Sequence, residues 1–347
     1  MPQIHLSVVV PLYNKRPTVL ASLLSIANQS YRGFECIIVD DGSTDGGAEA
    51  AESFGDPRFH VVKQPNQGVS AARNRGVQEA SADLVAFLDA DDLWEPGFLQ
   101  AIVDLRQRYP SAGLYVTGVG RCFADGRDDH LLSAATPDPG HAVLVDDYLL
   151  ASQEGSFVTA SSVAIPKHVL LDSGGFPVGV AVGEDVDTWV RIGLNYPVAC
   201  DSRILAFYFT PPARQQVMLA KSKARPITEL PVALGNLMRR MAKDEIPAGR
   251  RQAVASYIDY SLLAHTDYLL YHGTARELRC FLDQTSACDP AVRSTLSRIR
   301  ALTYFLPPRL VLALFHRFQA QPGSRAHSAP RYLSHQHAPC RHLNRLP

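Results

Sequence analysis

Between residues 6 and 88, short apolar runs alternate with helix-spaced segments, and nearly every run ends in polar residues. Residues 6–10 form a continuous apolar, β-branched run, the pattern of a strand covered on both faces. Residues 17–28 carry Val19, Leu20, Leu23, Leu24 and Ala27 at helical spacing, with Pro17 suited to a first turn. The same alternation continues with strands at 35–40, 59–63 and 84–88 and helices at 46–54 and 70–80. It predicts an α/β fold with a parallel sheet whose ligands gather at the carboxyl ends of the strands. Tyr13-Asn14, Asp40-Asp41 and Asp89 to Asp91 all fall at such ends.

From Gly113 the pattern loosens. Strands are expected at 115–122 and 158–165, a polar loop at 125–140, a helix at 186–194 and an extended segment at 199–209. After Pro211-Pro212 the composition shifts, and helices are expected at 230–241, 250–272, 276–282 and 292–318, the last broken at Pro307-Pro308. Residues 319–347 have little to bury and are expected to be disordered. The predicted organisation is therefore a domain over 1–212, a helical extension over 213–318 and a basic tail over 319–347.

The 34 basic and 34 acidic side chains cancel, which argues against a nucleic-acid binder. The balance is uneven: no Asp or Glu follows Asp289, while Arg293, Arg298, Arg300, Arg309 and further arginines do. Apolar residues such as Leu302, Phe305, Leu310 and Leu314 accompany them. Two readings stay open: an amphipathic segment lying in a membrane interface, and a packed helical extension or dimer face. The six cysteines show no CxxC pairing and read as reduced thiols without a zinc site. No signal peptide or membrane span is expected, so the chain reads as cytoplasmic, with contact at the inner membrane face as the open alternative.

Phe87-Leu88-Asp89-Ala90-Asp91-Asp92-Leu93-Trp94 places three carboxylates within four positions. Crowded carboxylates repel unless a positive charge sits among them. A divalent cation shared with substrate phosphates is one answer; Asp92 capping a following helix, beside solvated turn residues, is the other. Elsewhere, Tyr13 can stack on a flat base or merely sit in a turn. Asp40 and Asp41 can accept hydrogen bonds from a ribose or base, or only shape a turn with Gly42-Ser43. Arg73 opposes the dipole of its helix, so its partner is a ligand or an acid such as Glu79. Glu184, Asp185 and Asp187 can favour a helix N-terminus or supply a general base.

Four segments in order, VVVPLYNK (8–15), IIVDDGSTDGG (37–47), NQGVSAARNRG (66–76) with FLDADD (87–92), and GEDVDTWVRI (183–192), resemble the family 2 glycosyltransferases over roughly residues 4–209. The resemblance implies the GT-A fold. It places Pro11 and Tyr13 at the donor nucleotide, Asp41 at the base and Arg73 at the nucleotide or its phosphate. Asp89 and Asp91 match the DxD motif, Asp91 holding Mg²⁺ or Mn²⁺ and Asp89 facing the ribose or the metal's water shell. Asp185 matches the catalytic base, with Glu184 supporting it. Gly175, in Gly174-Gly175-Phe176, borders the acceptor, and Trp189 stands on the acceptor side or in support. One departure stands out: relatives often carry a late His near the metal, where this chain has Phe207-Tyr208-Phe209-Thr210-Pro211-Pro212.

The implied function is inverting, metal-dependent transfer from a nucleotide-diphosphate-sugar, with UDP-sugar the first choice, to a hydroxyl of a glycan or lipid-linked acceptor in cell-surface polysaccharide synthesis. The rival is a non-catalytic nucleotide-sugar-binding or scaffold protein of the same fold. A nicotinamide oxidoreductase would need GxGxxG in the first strand-helix turn, and it is missing. Oligomeric state and the identity of sugar and acceptor are left open by the sequence.

Overall fold

The computed structural model describes residues 4–123, 128–131, 142–154, 157–210, 230–285, 288, 290–308 and 310–312. These fall into two compact units, 4–210 and 230–312.

The first unit opens with β1 (Leu6–Leu12), buried along its whole length. It continues through α1 (Val19–Ala27), β2 (Phe34–Asp40), α2 (Gly47–Glu52), β3 (Phe59–Lys63), α3 (Val69–Glu79) and β4 (Leu84–Phe87). The strands lie side by side in the order β3-β2-β1-β4, all parallel. The continuous apolar runs are apolar because helices cover both faces of such a sheet. Close helix-sheet approach depends on Gly76 of α3, where an added Cβ would stand 2.3 Å from Val9 Cγ1.

Beyond β4 come β5 (Leu93–Trp94), α4 (Phe98–Arg108), β6 (Leu114–Phe123), β7 (Asp128–Leu131), β8 (Ala142–Val145), α5 (Tyr148–Ala151), β9 (Val163–Pro166), α6 (Lys167–Asp172), α7 (Glu184–Gly193) and β10 (Val198–Thr210). Here the sheet becomes mixed. β9 inserts antiparallel between β4 and β6, and β10 runs parallel to β6. Three local expectations change. The helix expected directly after the acidic run is preceded by the two-residue strand β5, which pairs with β10. The expected loop at 125–140 contains β7, antiparallel to β6, with 124–127 and 132–141 outside the described residues. The strand expected from 158 begins only at Val163, after a 3₁₀ turn at Ala160–Ser162. For β5 and β9 pairing with a distant strand decides, and local spacing carries no sign of it, whereas β7 pairs with its sequence neighbour β6.

The second unit contains α8 (Val232–Ala242), α9 (Arg251–His272), α10 (Ala275–Leu282) and α11 (Pro290–Leu302). Leu234, Leu237, Val254, Ile258, Leu262, Leu269, Leu278 and Phe281 are buried in it. Thr274 and Glu277 form a reciprocal capping box at the start of α10. Arg300 pairs with Asp283 at 2.6 Å, so part of the basic surplus is neutralised within the unit. Among the described residues no helix is long and apolar enough to cross a membrane. The expected disordered tail, 319–347, lies outside them. Cys36, Cys122, Cys200, Cys280 and Cys288 are free thiols, and burial pushes Cys36 and Cys200 upward, away from the reactive thiolate.

Candidate functional site

The carboxyl ends of β1 and β2 form the first corner of the site. Pro11, expected just past the strand, lies buried inside β1. Val9 O still accepts from Leu88 N (3.1 Å), but β4 pairing ends at Phe87. The missing N–H of Pro11 therefore faces the side that β4 has already left. Tyr13 follows, 48% exposed. Asn14 takes a left-handed φ of 51° and ties this loop to the next: its N–H donates to Ser43 Oγ (3.1 Å) and its Oδ1 accepts from Thr44 N (2.8 Å). Asp41 is buried, and its carboxylate accepts from Gln64 Nε2 (2.7 Å), Gln67 N (2.9 Å) and Gly68 N (2.8 Å). Its role is thus more than a turn: it anchors the entry to α3.

β4 delivers the acidic run. Asp92 N bonds back to Asp89 O (3.0 Å), so Asp89 to Asp92 form a turn rather than the extended segment in which i and i+2 face one way. Each acid has its own partner. Asp89 accepts from Arg73 Nη2 (2.8 Å), and its N–H donates to Ser161 Oγ (3.2 Å). Asp91, 7% exposed, pairs with Lys15 Nζ. Asp92, expected to cap a helix, does not: Gly97 occupies the N-cap of α4. Instead Asp92 is fully buried, accepting from Ser161 Oγ (2.6 Å) and Phe209 N (3.3 Å). Its tertiary partners outbid the local cap. β10, where the late His is missing, contacts the acidic turn through this backbone bond.

Arg73 joins that turn to α7. Its side chain is 3% exposed, and beyond Asp89 it donates from Nη1 to Glu184 Oε1 (3.1 Å). Burial opposes its charge, but Asp89 and Glu184 outweigh that and raise its pKa. Its Nε has no partner, and the guanidinium carbon lies 5.3 Å from the Phe176 ring centre. The alternative pairing with Glu79 belongs to Arg75, at 2.7 Å. Next to Glu184 in the first turn of α7, Asp185 accepts from Val186 N (2.7 Å). Burial, then the neighbouring Glu184, raise its pKa to about 6, against the opposing pull of Arg73. Neither acid is the N-cap; Gly183, at φ 83°, is.

A scaffold holds this corner from behind. Asn74 bonds both N and O of Phe176, each at 2.8 Å. Gly175 (φ 69°) admits that contact, since an added Cβ would stand 2.8 Å from Asn74 Oδ1. Arg191, paired with buried Asp187 (2.8 Å), donates to Gly175 O (2.7 Å) and to Ser173 O. Trp189 is fully buried against Phe176, ring centres 5.8 Å apart. That enclosure fits the supporting place of the two expected for it. Lys15, Asn74, Ser161 and Arg191 are the functional or supporting contacts that sequence reasoning did not assign. Lys15 lay inside a quoted segment and could have been found; Ser161 had no local signal.

Among the described residues no three His, Cys, Asp or Glu side chains converge as a closed metal site. What β4 offers is two hard oxygen donors, Asp89 and Asp91. That set suits Mg²⁺ or Mn²⁺ held jointly with substrate phosphates better than a cation caged by protein alone. A shallow hollow of about 490 Å³ lies at the far edge of the sheet, beside β3, away from these acids.

This fold, with acids gathered at the carboxyl ends of β2 and β4, is the GT-A architecture. Residues 7–149 match the glycosyl transferase family 2 model, so this region is similar to that family. It is 37% identical over 119 residues to the amylovoran biosynthesis glycosyltransferase AmsB of Erwinia amylovora, covering 33% of this chain and 39% of AmsB. The matched stretch spans less than half the length of AmsB and of the other curated relatives it matches. Among solved structures, S. aureus TarS 1–349 in complex with UDP-GlcNAc is similar with a TM-score of 0.52 at 16% identity, over 87% of this chain and 91% of TarS 1–349. The mannosyltransferase PcManGT of Pyrobaculum calidifontis, in complex with GDP-Man and Mn²⁺, gives 0.54 at 19%, over 91% and 88%.

Proposed function

We propose that the protein is an inverting glycosyltransferase moving a sugar from a nucleotide-diphosphate donor, a UDP-sugar, to a hydroxyl of a glycan or lipid-linked acceptor in cell-surface polysaccharide synthesis. The observation that carries this is the single guanidinium of Arg73 bridging Asp89 of the acidic turn and Glu184, the neighbour of Asp185. That bridge supports reading the acidic turn as the diphosphate side and the start of α7 as the proton-accepting side.

Each residue then has a task. Tyr13 is exposed enough to stack on the base. Asp41 sets the loop that receives it. Asp89 lies 25% exposed, open to a ribose hydroxyl, and Asp91 is the protein ligand for the divalent cation. The cation, when bound, supplies Lewis-acid stabilisation of charge on the departing diphosphate. Asp185 takes the proton from the acceptor hydroxyl; a pKa of about 6 leaves it ionised at neutral pH yet basic enough to accept. A single base opposite the leaving group gives in-line displacement with inversion. Glu184 keeps Arg73 charged and Asp185 raised. The basic, apolar end of the second unit is read as a peripheral membrane contact. Exposed Tyr304, Phe305 and Leu310 support an interfacial contact, and liposome flotation with and without residues 290–347 tests it.

The deciding experiment is donor turnover with Mn²⁺ across a panel of nucleotide sugars. Wild type should consume one of them, and Asp91→Ala should lose that activity by about a hundredfold or more. Tight donor binding with no turnover on any acceptor would favour the binding-protein reading instead.

A further inference from the structure

The two acids of the DxD turn are neutralised in different ways. Arg73 on Asp89 is 3% exposed and wedged between two carboxylates. Lys15 on Asp91 is 38% exposed, on a flexible four-carbon stem. Yet its backbone is fixed. Lys15 O accepts from Thr18 N (3.0 Å) and Val19 N (2.9 Å), and Thr18 Oγ1 donates to Ala90 O (2.9 Å), inside the acidic turn itself. Asn14, immediately before, is bonded to Ser43 and Thr44. The ammonium is thus delivered to Asp91 by a tethered loop, while its side chain stays free to swing.

We infer that Lys15 is a resident counter-cation of Asp91 that a divalent metal must displace, so that metal capture is coupled to arrival of the donor diphosphate. An ammonium and a divalent cation compete for the same carboxylate because each repels the other. Without nucleotide, a metal gains Asp91 only by expelling Lys15 into water. With a diphosphate present, the displaced ammonium finds phosphate oxygens within its reach, and the exchange becomes favourable. Metal and nucleotide then bind cooperatively, each raising the affinity of the other by the same factor. This rests on the reading of Asp91 as the cation ligand.

The test is Mn²⁺ binding to the full chain, followed by the EPR signal of free Mn²⁺, with and without UDP and, as a second arm, GDP. Lys15→Met keeps the tethering backbone bonds. Without nucleotide it should bind Mn²⁺ about five- to tenfold more tightly than wild type, and Asp91→Asn added to it should abolish the gain. Added nucleotide should tighten Mn²⁺ binding more in wild type than in Lys15→Met. Equal Mn²⁺ affinity of wild type and Lys15→Met, with Asp91→Asn weakening both, overturns the inference and leaves the metal-ligand reading standing. Mn²⁺ binding that does not depend on Asp91 in any variant overturns both.

Discussion

The two ends of the candidate site hold their carboxylates by opposite means. At the Asp41 end, one buried acid meets three neutral donors, two of them backbone amides. At the Asp185 end, Asp89 and Glu184 share one buried cation, Arg73, with Asp185 beside them. Amide donors stabilise a carboxylate while fixing its place, which makes a rigid floor. Several acids around one guanidinium leave surplus negative charge, which raises a neighbouring pKa and attracts a cation. The first arrangement suits recognition and the second suits chemistry, so substitutions at the two ends should fail differently.

The largest effect is expected at Asp185. Asp185→Asn keeps the shape but removes the proton acceptor, and kcat for transfer should fall by about 10²–10⁴-fold. In wild type the reactive form is the carboxylate, whose pKa is raised to about 6. Activity should therefore fall as pH drops through that value and level off above it. A kcat profile that is flat across this range, or an Asp185→Asn enzyme of full activity, would reassign the base.

Arg73→Met separates the two ends by stability. It leaves Asp89 and Glu184 without their shared cation in a buried setting, which costs about 3–5 kcal/mol. Urea denaturation should show that loss. With the downward pull of Arg73 gone, the acidic limb of the remaining activity should also move to higher pH. Asp41→Asn should behave otherwise. It keeps one acceptor oxygen but turns an amide NH₂ toward a backbone N–H, costing about 1–3 kcal/mol. The pH dependence of transfer should stay put. A shifted limb in Asp41→Asn would mean that the two ends are electrostatically one site.

The same contrast explains what could be read beforehand. β1 to β4 are continuous apolar runs between helix-spaced segments, and their positions along the chain and polar ends are legible because each signal is local. Asp89, Asp91 and Asp185 stood out through motif and spacing. Asp92 was misread because its partners, Ser161 and Phe209, lie 69 and 117 residues away, where no local pattern points. Sequence leaves Trp189 on the acceptor side or in support, and its burial against Phe176 is a tertiary feature with no local sign. The bridge made by Arg73 was half legible: an acidic partner was foreseen, but the acid 111 residues on was not. Lys15 was passed over because a lysine in a turn is ordinarily solvent-facing.

Tyr13 offers the finest division between recognition and chemistry. It stands at the Asp41 end, 48% exposed, on a loop fixed by Asn14. If it stacks on the donor base, Tyr13→Ala should lose about 1–3 kcal/mol of binding. That loss should appear in KM for the donor, with kcat within about twofold, because stacking is equal in ground and transition states. Tyr13→Phe keeps the ring and gives up a hydroxyl that water can already satisfy, so its KM should rise by less than about threefold. A Tyr13→Ala enzyme that loses kcat instead would move Tyr13 into the chemistry of the other end. Unchanged KM in both variants would remove it from the donor site.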